Sequence, residues 1–157
     1  DAKSKPACVN CHEMGKESTD QAKTSHAVHK DKVSCTGCHS SAPYRNCYEC
    51  HAGKGATPKP SFILGRNPRN KGVVTTLRVI PTVRTTFKQD GIQMENFDAL
   101  PNYWDTSPHN IRKRTERTRS CEVCHDEKKD FLSQEMLLKD GSKANEGLVY
   151  TPKSIKK

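Results

Sequence analysis

Eight cysteines and seven histidines are the residues of this 157-residue chain whose types and spacing can do chemistry. All eight cysteines stand in one pentapeptide written four times: Cys8-Val9-Asn10-Cys11-His12, Cys35-Thr36-Gly37-Cys38-His39, Cys47-Tyr48-Glu49-Cys50-His51 and Cys121-Glu122-Val123-Cys124-His125. C-x-x-C-H is the attachment signature of c-type haem. Two thiols three positions apart reach the two vinyl groups of one porphyrin as thioethers, and the next imidazole turns onto the iron as proximal ligand. Cys8, Cys11, Cys35, Cys38, Cys47, Cys50, Cys121 and Cys124 are therefore read as cofactor-binding, and His12, His39, His51 and His125 as iron ligands, for four haem c groups. Two other uses of Cys-x-x-Cys fit less well. A zinc ribbon needs two pairs converging as four ligands and has no need of His after every second Cys. A thioredoxin-like dithiol would occur once, between a strand and a helix.

On these four motifs, and on the His26-x-x-His29 ahead of the second, the chain resembles the multihaem c-type cytochromes, tetrahaem by count. The likeness covers those residues and not the whole length. It implies electron transfer as the function, haems packed in a chain, and two histidines on most irons. Cys8 to Met14 reads C-x-x-C-H-x-M, which resembles in part the first haem motif of membrane-anchored tetrahaem quinol dehydrogenases, where the methionine can be an iron ligand. The anchor helix of that group is missing from this sequence.

Four irons take up to eight axial ligands, and the motifs supply four. The spare histidines are His26, His29 and His109, all read as distal ligands. His26 and His29 are too close in sequence to clamp one iron from opposite sides, so they are assigned to two different haems. His109 lies twelve residues before Cys121, and ligating a haem of the other half would staple the chain together. One iron is then a histidine short. Three readings stay open: a methionine (Met14, Met94 or Met136), a ligand from another protein, or a position held by water, Lys or the amino terminus and open to substrate.

The elements that must position these ligands have little apolar material to work with. The hydrophobic fraction is 32% and the aromatic fraction 6%, which without cofactor leans towards disorder. Four porphyrins would supply the missing core, so the haem-free chain is expected to be unfolded. The formal charge of +9 falls to about +1 with ferrous haems, because each porphyrin brings two propionates that Lys and Arg can pair. Nucleic acid is accordingly not expected as a partner. No run of eighteen apolar residues is present, so no membrane span is expected. Asp1-Ala2-Lys3 reads as a mature start after cleavage of a leader. By family analogy, attachment of such haems happens outside the cytoplasmic membrane, which places the chain in the periplasm or outside the cell.

The expected fold is haem-dominated and mostly irregular, with a few short α-helices and minor β, as one tetrahaem domain over 1–157. Within it, 1–60 hold three motifs, 61–108 form a haem-free β-rich excursion, 109–141 carry the fourth motif, and 142–157 are a basic tail. A helix is expected from Asp20 to about Lys30, capped by Thr19 or Asp20, with His26 and His29 on one face. Cys47 follows His39 by eight positions, at most about 28 Å of extended chain, so haems two and three must be neighbours. Thr57-Pro58-Lys59-Pro60 reads as a linker. Val73–Phe87 reads as two short extended segments broken at Pro81, which argues against a central strand. Leu100–Pro108 reads as loop, with Tyr103 and Trp104 packed on porphyrin. Asp130–Lys139 reads as an amphipathic helix lying on haem four, and the tail as loose or reaching onto a neighbour. Arg112-Lys113-Arg114, Arg117 and Arg119 form the densest positive patch, solvated and pairing propionates, or steering an acidic redox partner.

The function these readings favour is electron transfer along closely packed haems in an extracytoplasmic, anaerobic-type respiratory route. The settings left open are a carrier, a subunit of a complex, or a unit of an extracellular filament (a nanowire), with redox proteins or further copies as partners. The rival is a multihaem reductase of a small nitrogen or sulfur species at an open haem. No acid–base or nucleophilic constellation competes with either, because cysteines and histidines are claimed by haem.

Overall fold

The computed structural model describes residues 7–40, 62–106, 108, 110–128 and 130–155. The third pentapeptide, the Thr57–Pro60 linker and His109 lie outside the described residues.

Two helices frame the histidines of the N-terminal part. The Thr19 hydroxyl accepts the Ala22 N–H at 3.2 Å and opens helix α1, Asp20–His29, where the sequence placed a helix. Asp31, at φ 61°, turns the chain out of it. Ser34 then caps helix α2, Cys35–His39, its hydroxyl accepting the Gly37 N–H at 3.3 Å. The second pentapeptide is thus itself one short helix.

The middle of the chain folds into an antiparallel sheet in the order β1 (Ile63–Arg66), β2 (Val74–Val79), β3 (Tyr103–Asp105). Leu77 is the register point, facing Ile63 on one side and Asp105 on the other. Neighbouring residues on a strand point to opposite faces, and both faces are covered here. Ile63, Leu77, Val79, Tyr103, Leu132 and Leu148 form one buried cluster. Leu64, Val74 and Phe131 form a second, flanked by Val33, Cys124 and Tyr150.

Two single pairings join the sheet to the segments that carry the cysteine motifs, and a third braces the second motif from outside. Val74 N–H donates to the Lys32 carbonyl at 2.7 Å and its carbonyl accepts Ser34 N–H at 2.8 Å, which fixes the α1–α2 junction on β2. On the outer edge of β1, Leu64 N–H donates to Asp130 O and Leu64 O accepts Leu132 N–H, both at 2.8 Å. Arg112 N–H donates to His39 O at 2.8 Å, strapping α2 from the far side.

Several sequence expectations are corrected by this arrangement. Pro81 follows β2 instead of interrupting it, so Val74–Val79 is the central strand and the stretch after Pro81 is turns. Tyr103–Asp105 is a strand, not loop. Tyr103 is fully buried in the side-chain core, its hydroxyl donating to Met136 O at 2.8 Å, and Trp104 lies under the Arg69 guanidinium at 5.7 Å. The 130–139 segment is not a helix: it pairs with β1 as extended chain and then makes only a 3₁₀ turn, Gln134–Met136. The tail is packed down, with Leu148 buried in the core and Lys143–Leu148 forming a 3₁₀ helix.

Candidate functional site: paired imidazoles and cysteine turns

Each described pentapeptide closes one helical turn. His12 N–H donates to Cys8 O at 2.9 Å and His125 N–H to Cys121 O at 3.0 Å, while Cys35–His39 is α-helical. Residues i, i+3 and i+4 of such a turn share a face, so two thiols and one imidazole are presented together. The six described cysteines are free, and Cys8, Cys11, Cys35 and Cys121 are exposed.

The motifs also lie against one another. The Cys8 thiol lies close enough to the Cys35 thiol to act on it, bringing the first motif to the second. Cys38 is close enough to Cys124 to act on it electrostatically, bringing the second to the fourth. Burial pushes the Cys124 thiol up to about 11 and, as the leading cause, raises Cys38 and Cys35 as well. A reactive dithiol needs the opposite shift, so a thioredoxin-like role is disfavoured.

Four of the described histidines come in twos. The rings of His26 and His39 have centres 6.0 Å apart, tilted by 46°, and those of His29 and His125 are also 6.0 Å apart, tilted by 34°. Each pair joins one histidine of α1 to the histidine of a C-x-x-C-H turn. His26 and His29, i and i+3 on α1, thus lie beside the histidines of the second and the fourth motif respectively.

All four of these rings have Nδ1 engaged. The His29 Nδ1 bonds Ser25 O at 2.9 Å, His39 Nδ1 bonds Arg112 O at 3.1 Å, and His125 Nδ1 bonds Lys153 O at 2.6 Å. A carbonyl only accepts, so Nδ1 is the donor in each of these rings, and Nε2 is the nitrogen left for coordination. The His26 Nδ1 bonds the Glu17 carboxylate at 2.7 Å instead. The tail thereby acquires a task, since Lys153 sets the orientation of His125.

The fit to a haem iron can be tested on these distances. A metal–nitrogen bond is about 2 Å, and an imidazole centre lies about 1 Å behind its nitrogen, so two rings binding one ion from opposite sides have centres about 6 Å apart. Both observed pairs meet that spacing. Among the described residues no three or more His, Cys, Asp or Glu gather as a metal cluster; the imidazoles pair across instead.

Other candidate ligands are placed less tellingly. His12 is exposed, and so is Met14, at 52%. Met94 lines a shallow apolar pocket of about 310 Å³ with Ile80, Phe97 and Leu100. Met136 is exposed next to the Tyr103 hydroxyl contact. Cys47, Cys50, His51 and His109 lie outside the described residues. The positive patch is divided: Arg119 pairs with Glu116 at 3.0 Å in solvent, whereas Arg117 is buried against Asp130 at 2.8 Å and is no solvated charge.

Sequence reasoning missed Glu17, whose only trace is a carboxylate nine positions before His26, and the backbone carbonyls of Arg112 and Lys153, which leave no trace in residue types. Among the described residues no helix is long and apolar enough to cross a membrane. No protein-family model, curated protein or solved structure matches the chain.

Proposed function

We propose that this chain is an electron-transfer protein carrying four covalently attached c-type haems, working outside the cytoplasm as a carrier or as a subunit of a respiratory complex or filament. The observation that carries the reading is the double pairing of imidazoles, His26 with His39 and His29 with His125, at the separation one iron requires. When bound, the haem iron supplies reversible one-electron chemistry. The chain's own residues do the holding. Cys35 and Cys38 anchor one group beside His39, Cys121 and Cys124 another beside His125, and Cys8 and Cys11 a third beside His12.

Helix α1 gives the arrangement its economy. Two ligands three residues apart bind two haems to one rigid element, and the nearness of Cys8 to Cys35 and of Cys38 to Cys124 supports the order first, second, fourth motif along the path. Two histidines on an iron saturate it, favouring transfer of electrons over binding of substrate at those two haems.

The test uses the mature protein. Intact mass should show four attached tetrapyrroles. His26→Ala and His29→Ala should each convert one low-spin iron to high-spin by electron paramagnetic resonance, and the double variant should convert two. A protein without attached haem, or two single variants that leave all irons low-spin, would defeat the reading.

A further inference from the structure

The four supported imidazoles are not supported alike. Three rest on backbone carbonyls, and His26 alone rests on a carboxylate, that of Glu17. We propose that Glu17 is a positioning residue that lowers the reduction potential of the haem on the second motif below what a carbonyl-supported ligand pair would give. The inference rests on the reading of His26 and His39 as partners on one iron.

The carboxylate is held for this purpose. The Gly15 N–H donates to Glu17 Oε1 at 3.1 Å, the same oxygen that receives the His26 ring at 2.7 Å. Gly15 stands at φ 98°, a conformation suited to glycine. The Glu17 side chain is only 10% exposed. The Gly15 N–H and the His26 ring thus converge on one carboxylate oxygen and fix its position.

An ionised carboxylate accepting the Nδ1–H draws that proton away from the ring and makes Nε2 a stronger donor. A stronger donor favours the ferric over the ferrous state, and the negative charge acts in the same direction. A carbonyl does this more weakly, because a hydrogen bond to a charged acceptor is roughly twice as strong as a neutral one. Helix α1 would then hold two unequal sites, His26 on the lower-potential haem and His29 on the higher, with a built-in direction of electron flow.

Glu17→Gln keeps an acceptor oxygen and removes the charge. In a spectroelectrochemical titration of the four-haem protein, one of four components should shift upward. At the potential where that haem is half reduced in the native protein, its reduced-to-oxidised ratio should rise roughly tenfold, which is 59 mV for a one-electron couple. Electron paramagnetic resonance should still show the His26–His39 iron low-spin. Four unmoved midpoints with ligation intact would overturn the proposal, and so would loss of the low-spin signal, which would make Glu17 a mere prop for the ring. Haem content, measured by mass in the same sample, separates either failure from failure of the haem reading itself.

Discussion

The Arg117 guanidinium bonds three parts of the chain at once: Asp130 Oδ2 at 2.8 Å, Gly37 O at 3.3 Å and Ser40 Oγ at 3.1 Å. It is the joint between α2 and the segment after the fourth motif, and its side chain is 4% exposed. Arg117→Ala would leave Gly37 O and Ser40 Oγ without this donor and the partly exposed Asp130 without its partner, so it should cost about 2 kcal/mol in denaturant unfolding, and Arg117→Lys less. A loss under about 1 kcal/mol would class it with ordinary surface pairs. At this scale the cysteine and histidine motifs were the legible part, because they are defined by residue type and spacing alone. Arg117 was not, since one buried cation in a run of five basic residues is chosen by tertiary packing. The Nδ1 partners were hidden for a similar reason: Arg112 O and Lys153 O are main-chain atoms, identical in every residue.

Elements were legible where local signals were complete. Thr19 as cap and the start of α1 at Asp20 follow from hydrogen bonding available within four residues. The stretch from Asp130 was misleading, because Phe131, Leu132, Met136 and Leu137 fit a helical stripe equally well. The outer edge of β1 decides the matter. Leu64 offers an unpaired N–H and C=O there, and residues 130–132 satisfy both as extended chain. The docking of the tail onto β1 needs Gly65, where an added Cβ would stand 2.8 Å from Leu148 O and 2.7 Å from Leu77 Cδ1. The carbonyl belongs to main chain and cannot swing aside. Gly65→Ala should therefore destabilise the fold by about 3 kcal/mol, at the upper end for overpacking, and loosen residues 146–150 first. Unfolding at the native denaturant midpoint would show that the tail sits elsewhere.

Across the whole molecule, apolar burial and ligand chemistry are unevenly shared. Every residue of the larger side-chain cluster comes from positions 63–148, while none of α1 is buried. The first motif, α1 and most of α2 thus lack a side-chain core, and under the proposed function porphyrin faces would provide theirs. The sheet has its own. Low overall hydrophobicity suggested that nothing would persist without haem, but it averages two unlike regions and hides the concentrated one. Hydrogen exchange on chain made without haem should separate them. Amides of β2, where Leu77 and Val79 are fully buried, should stay protected, because both faces of the sheet are covered by side chains. Amides of 7–30 should exchange at unfolded rates, and protection should appear there only when haem is attached. Uniform exchange through β2 as well would mean that the sheet also depends on the porphyrins. Protection of α1 in the haem-free chain would mean that the helix, and the histidine spacing it carries, forms before any iron arrives.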